Sequence, residues 1–192
     1  MDLTIIQQVQ NEIKEWSERN FGKPYGRGYR PLLGLIEELN HELFRYIEIE
    51  SGSIEDEDTE NFLDALGDAC IYLLDYSNNI NLNIKDTYKS FLNRQGVKII
   101  SLEERKSLIH LLKKTIVHSG QLCHAHLKLE QGIRLNEDHA QKRYENVFII
   151  LDCFDAIAKN KFNLSIDIVL TSVWYKVRQR DLTKNKIDGG IE

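Results

Sequence analysis

Two stretches of the chain carry acidic side chains at spacings that can do chemistry. The first is Glu37, Glu38, His41 and Glu42. On a helix turning about 100° per residue they fall at roughly 0°, 100°, 40° and 140°. Leu35, Leu39, Leu43 and Tyr46 occupy the opposite arc. This is either the solvated acidic face of an amphipathic helix or one wall of a site. The second stretch, Phe62 to Asp75, is nearly all apolar except for Asp64, Asp68 and Asp75. These three fall within about 40° of one another on a helix. A helix apolar on both sides of an acidic stripe is mostly buried, and buried carboxylates need a cation or basic side chains. Two readings follow: a hard divalent cation held between two helices, or an Asp–Lys or Asp–Arg network inside the bundle. Oxygen donors with no nearby Cys/His set favour magnesium or manganese over zinc.

Two other groups have simpler alternatives. Lys23, Arg27 and Arg30 stand among Tyr25 and Tyr29 in a segment that either holds phosphate or a base, or is a surface turn. His118, His124 and His126 invite a zinc reading, but positions 124 and 126 point apart on a helix. Ordinary surface or cleft histidines are the other reading.

The elements that must position these residues are helical. Apolar residues recur at three- and four-residue steps, predicting helices over about 3–19, from 32 onward, about 60–78, 84–93, 144–158 and 166–177. Gly22 to Pro31, with three glycines and both prolines of the chain, interrupts the first two. Ser51-Gly52-Ser53 with the acids at 55–58, the stretch 130–139 and the asparagines at 78, 79 and 163 are expected loops and turns. Gly96 and the apolar run 97–100 mark a junction, after which Ser101-Leu102-Glu103-Glu104 matches a capping box that opens a long helix. No strand alternation competes, so the fold class is all-α. The order long helix, acidic loop, apolar helix, Asn turn, closing helix occurs twice. Glu50-Ser51-Gly52 answers Glu130-Gln131-Gly132, Leu82-Asn83-Ile84 answers Leu164-Ser165-Ile166, and Arg94 answers Arg180. A degenerate duplication, or two unrelated hairpins of similar rhythm, explains this.

Composition narrows the class. The 25 basic and 30 acidic residues leave a net charge of −5 with no long basic run, so no footprint for a nucleic-acid polymer is visible. No apolar run reaches the ~20 residues that span a bilayer, and Met1-Asp2-Leu3-Thr4 lacks the start of a signal peptide. Cys70, Cys123 and Cys153 are odd in number, widely spaced and set within apolar-periodic segments. They read as reduced core cysteines of a cytoplasmic protein.

Three segments together resemble a family. They are Trp16-Ser17-Glu18-Arg19-Asn20-Phe21, Pro31 through Leu39, and Asp64-Ala65-Leu66-Gly67-Asp68 with Ile71-Tyr72-Leu73. Over about residues 12–94 the chain resembles the MazG-like nucleotide pyrophosphohydrolases, relatives of the dimeric dUTPases. The resemblance implies an all-α bundle that cleaves nucleoside triphosphates to monophosphate and pyrophosphate with magnesium or manganese. The family pattern is Glu-Glu-x-x-Glu on one helix and Glu-x-x-Asp on the next. Here His41 takes the place of the third glutamate, with Glu42 one position beyond, and Ala65 takes the place of the fourth acid, with Asp64 one position before. The resemblance implies Glu37, Glu38, Asp64 and Asp68 as metal ligands. His41 or Glu42 completes the shell or acts as general base, and Asn78 and Arg94 contact the nucleotide. Gly120 through Lys128, Glu130 through Arg134 and Trp174 through Asp181 are similar to the same motifs, with Val117, His118 and Gln121 where the acids belong. The implied organisation is a metal-bearing half over 1–95, a degenerate half over 101–181 and a tail over 182–192. The implied partners are a nucleotide substrate and a second copy of the chain in a homodimer. A catalytically silent relative that binds a nucleotide or a protein, or a purely structural helical module, is the alternative.

Overall fold

The computed structural model describes residues 1–22, 29–43, 56–95, 100, 105, 107–134 and 136–180, without the side chains of 42, 56–58, 94 and 95. Every regular element among them is helical, and the fold is all-α. In chain order these are α1 (Leu3–Phe21), α2 (Arg30–Glu37) continuing as a π-turn (Glu38–Leu43), α3 (Asp56–Asn79), α4 (Ile84–Gln95), α5 (Leu108–Gln131), α6 (His139–Phe162) and α7 (Ile166–Val177). Among the described residues no helix is long and apolar enough to cross a membrane. None of the three cysteines is in a disulfide, and Cys70 and Cys153 are buried.

Where bounds depart from the apolar spacing, local chemistry explains it. Helix α3 begins at Asp56 and so takes in acids expected in a loop; acidic residues suit the first turn of a helix, where unpaired N–H groups carry partial positive charge. The capping box at 101–104 lies outside the described residues. The long helix that follows starts instead at Leu108, where the Ser107 hydroxyl accepts the His110 N–H. That helix runs to Gln131, past the expected loop boundary, because Gly132 caps it at φ 63°, a left-handed conformation that costs glycine little. Helix α6 is likewise longer than expected at both ends, capped by Asp138 and by Asn163. The expected turn at 23–28, the loop at 51–55, the junction at 96–99 and the tail over 182–192 lie outside the described residues.

The dimensions repeat. Helices α3 and α6 have 24 residues each, and α4 and α7 have 12 each. Both hairpins turn on an asparagine in the left-handed region, Asn81 at φ 54° and Asn163 at φ 56°, each followed by a leucine. The alternation of buried and exposed positions over 31–41 recurs over 111–121. The helix bounds align α4 with α7 at a spacing of 82. At that spacing the position answering Arg94 is Lys176, whereas the isolated identity sets Arg94 against Arg180 at a spacing of 86.

One hydrophobic core runs through both halves, from Ile6 and Ile13 of α1 to Trp174 and Val177 of α7. Helix α3 is its axle, in contact with α1, α2, α6 and α7. The closing helices are crossed. Helix α7 of the second half lies against α3 of the first, while α4 of the first half places Tyr88 and Phe91 on Phe148 of α6. Gly67 makes the α3–α7 crossing possible, since a Cβ there would meet the Val173 side chain at 2.4 Å. Buried bonds tie the layers together. Gln10 donates to the Leu82 carbonyl, Tyr88 donates to Asp152, and Arg105 pairs with Asp152 at 3.1 Å.

Candidate functional site

The crossing of α7 over α3 encloses a cleft of about 340 Å³. Ile13, Trp16 and Phe21 of α1 form one wall, with Arg30 and Gly34 of α2 beside it. The floor is Asp68, Ile71, Tyr72 and Asp75 of α3, and Val177 and Arg180 close the far side. Gly34 lets the Tyr72 ring lie against α2; a Cβ there would sit 2.4 Å from the ring. Trp16 is held edge-on to Phe21 and Trp174, and its indole N–H donates to the Arg180 carbonyl at 3.1 Å.

The three aspartates of the acidic stripe have different surroundings. Asp64 is half-exposed and is held by Lys176 Nζ at 2.9 and 3.2 Å. Asp75 is buried, and its Oδ2 accepts the Ser17 hydroxyl at 3.1 Å. Asp68, between them along the helix, makes no hydrogen bond or ion pair within the described residues. Burial raises its carboxyl above the ordinary range. The Arg180 charge opposes that shift, and the charges of Asp64 and Glu37 add to it. Tyr72 registers the same field: burial raises its phenol first, then the charges of Glu38, Asp68, Glu37 and Asp75. A desolvated carboxylate under the influence of other carboxylates, in a cleft, is the pattern that marks functional groups.

The remaining expected residues fall as follows. Glu37 is exposed and 4.0 Å from the exposed ring of His41. Glu38 is half-buried in the first residue of the π-turn. An i→i+5 turn holds one residue more than an α-turn. The stretch after Glu38 therefore advances by one position, and the angles expected for residues 41 and 42 on a regular helix do not apply. Leu39 and Leu43 are both buried in this turn. The side chain of Glu42 lies outside the described residues. Arg30 lines the cleft, while Arg27 lies outside the described residues. Arg94 belongs to α4, whose described residues do not line the cleft, and its own side chain lies outside them. Asn78 is away from the cleft wall, donating to the Gln10 carbonyl at 2.9 Å and so pinning α3 to α1. Among the described residues no three His, Cys, Asp or Glu side chains stand close enough to hold one ion.

A second cleft lies between α5 and α6, lined by His118, Gln121, His124, Lys142, Glu145 and Asn146. His118 Nδ1 and Asn146 Oδ1 are 2.8 Å apart. His126 faces away, with Nδ1 3.2 Å from the Tyr76 hydroxyl. The three histidines do not converge, so the zinc reading is set aside.

Arg180 is the functional candidate that motif spacing passes over, because its place in the cleft depends on the crossing of α7. Asp75 was visible as part of the stripe, but its bond to Ser17 was not. Compared with models of known families, with curated proteins and with solved structures, the chain matches none.

Proposed function

We propose that the cleft binds a nucleotide polyphosphate, and that the chain is a MazG-like nucleotide pyrophosphohydrolase whose second half is a degenerate copy of the first. The observation that carries this reading is Asp68: a half-buried carboxylate without an ion pair among the described residues, in one cleft with two arginines and an aromatic wall. Trp16, Phe21 and Tyr72 offer faces and edges for a base, and Arg30 and Arg180 offer planar charged donors for phosphate oxygens. The repeated helix lengths, the repeated Asn turns and the repeated burial pattern support the duplication.

The donor set fits a hard cation in kind, since all its members are carboxylates. Glu37, Glu38 and Asp68 are the groups that would hold magnesium or manganese, with Asp64 once Lys176 releases it. They would have to draw together to do so, since as they stand no three of them could hold one ion. The ion supplies neutralisation of phosphate charge and a more acidic water. The chain's own residues do the rest. Arg180 and Arg30 would orient the phosphates, the aromatic wall would exclude water, and His41, beside Glu37, would take a proton. In the second half His118 and Gln121 stand at a spacing of 80 from Glu38 and His41, which removes the acids and leaves the packing.

One observation favours a second reading, a catalytically silent nucleotide-binding module. Lys176 already neutralises Asp64, and such a pair substitutes for a metal. A panel of nucleoside triphosphates with magnesium and with manganese, scored for pyrophosphate release and, separately, for binding, decides the matter. Release of pyrophosphate is the expected result. Binding without release identifies the silent module, and failure of every nucleotide to bind removes both.

A further inference from the structure

Both tryptophans of the chain stand on the seam between α1 and α7, and each donates its indole N–H across it. Trp174 of α7 is buried and donates to Glu12 Oε2 of α1 at 2.8 Å. Trp16 of α1 donates the other way, to the carbonyl of Arg180 beyond the end of α7, at 3.1 Å. Their rings meet edge-on with centroids 5.9 Å apart. Arg178 adds a third tie, its Nη1 3.4 Å from the same Glu12 oxygen. A helix ends in carbonyls that find no partner within it, and the chain past Val177 has left the helix. There the Arg180 main chain is held by two bonds, its N–H on the Val177 carbonyl and its carbonyl on Trp16. Trp16 thus fixes, from α1, the point at which the Arg180 side chain joins the cleft lining.

We infer that Trp16 is a positioning residue for Arg180, and that the pair reads the phosphate chain of the ligand, not its base. The inference rests on the proposal that this cleft binds a nucleotide polyphosphate, and it adds which part of the ligand the α1–α7 seam recognises. Arginine stays charged and presents a planar fork of donors that matches phosphate oxygens in direction as well as in charge. Direction is what a long flexible side chain lacks until its root is fixed, and ordering it at the moment of binding weakens affinity. The bond from Trp16 to the Arg180 main chain does part of that ordering before a ligand arrives. Packing aims the donor, since Phe21 and Trp174 meet the Trp16 ring edge-on. Arg180 is also near enough to Asp68 for its charge to act on that carboxyl. The donor fork and the carboxylate proposed for the metal therefore share one end of the cleft, where a metal-bound phosphate chain needs both.

Calorimetry of the whole chain with inorganic tripolyphosphate in magnesium, beside ATP and GTP, tests this. Tripolyphosphate has no base, so a loss of its binding cannot come from lost stacking. Trp16→Phe keeps an aromatic ring and removes the N–H, and it should weaken all three ligands about 3–10-fold. Arg180→Ala should weaken them at least as much, and in that background Trp16→Phe should have no further effect. The indole resonances give a second readout that needs no tryptophan variant. Saturating the wild-type chain with tripolyphosphate should move the Trp16 indole N–H signal and leave that of Trp174 in place, and Arg180→Ala should abolish the shift. The inference is overturned by a wild-type chain that takes ATP or GTP but not tripolyphosphate, or by an unmoved Trp16 signal. It is equally overturned if either single variant binds like the parent, or if the Trp16→Phe loss persists in Arg180→Ala. All these outcomes leave the nucleotide cleft standing. A wild-type chain that binds none of the three ligands defeats the cleft reading itself, and the inference with it.

Discussion

Lys176 Nζ lies 2.9 Å from Asp64 Oδ1, so an ammonium from the last helix of the chain rests on a carboxylate of the acidic stripe. The side chains are 59% and 45% exposed, and a pair this wet contributes about 0–1 kcal/mol. Lys176→Met should therefore leave Tm within about 2–4 °C of the parent. Removing the positive charge should also tighten manganese binding several-fold, read by electron paramagnetic resonance of the free ion. Adding Asp64→Asn should cancel the gain. Unchanged affinity in Lys176→Met would exclude Asp64 from the ligand set.

Gly67 and Val173 are a steric pair. The Cβ of Gly67→Ala would fall 2.4 Å from Val173 Cγ2, and overpacking of this kind costs about 1–3 kcal/mol. Urea denaturation should show that loss, and Val173→Ala in the same chain should recover part of it. Additive losses in the double variant would mean that the two residues do not meet.

The position of Asp68 has a signature in pH. Its carboxyl is raised above the ordinary 3.8, with burial as the first cause. Between that ordinary value and its folded one, the folded chain holds more protons than the unfolded chain. The contribution of Asp68 to stability therefore falls as pH rises through this window. Asp68→Asn should raise Tm at pH 7 by about 2–4 °C, the equivalent of about 1 kcal/mol at this size. The advantage should shrink below pH 4. The same variant should lose any pyrophosphate release, as expected of a group kept charged for function at a cost in stability.

His126 behaves in the opposite sense. Burial lowers its pKa from 6.5, the Arg143 charge lowers it further, and Glu130 opposes them. Below 6.5 the unfolded chain takes up a proton that the folded chain refuses, so stability is lost as pH falls. The slope from this one group cannot exceed about 1.4 kcal/mol per pH unit. His126→Gln keeps a partner for the Tyr76 hydroxyl and should flatten the change in urea midpoint between pH 7.5 and 5.5. An equally steep change in the variant would assign it to other groups.

Periodicity made the helices legible and left their geometry hidden. Ile166–Val177 takes the bounds its apolar spacing predicts, because its first N–H is bonded to Asp155 and its apolar face meets the core there. Ser107 caps the long helix at Leu108, a hydroxyl three residues before an N–H that the apolar spacing alone does not single out. The π-turn at Glu38–Leu43 has no marker in residue type, so angles computed at a uniform 100° misplace His41 and Glu42. The stripe of Asp64, Asp68 and Asp75 was readable as a stripe. Which of the three stays unpaired was set by Lys176 and Ser17, from helices that only tertiary packing brings near.

The crossed closing helix gives the cleft two owners. A chain severed in the junction before Leu108 would leave the carboxylates on one fragment and Val177 and Arg180 on the other. On the proposed reading neither piece alone would hold the nucleotide, and mixing the two would be needed to rebuild the cleft. Changes at Val173, Lys176 or Arg180 will accordingly act on carboxylates of the amino-terminal half, about a hundred residues away along the chain.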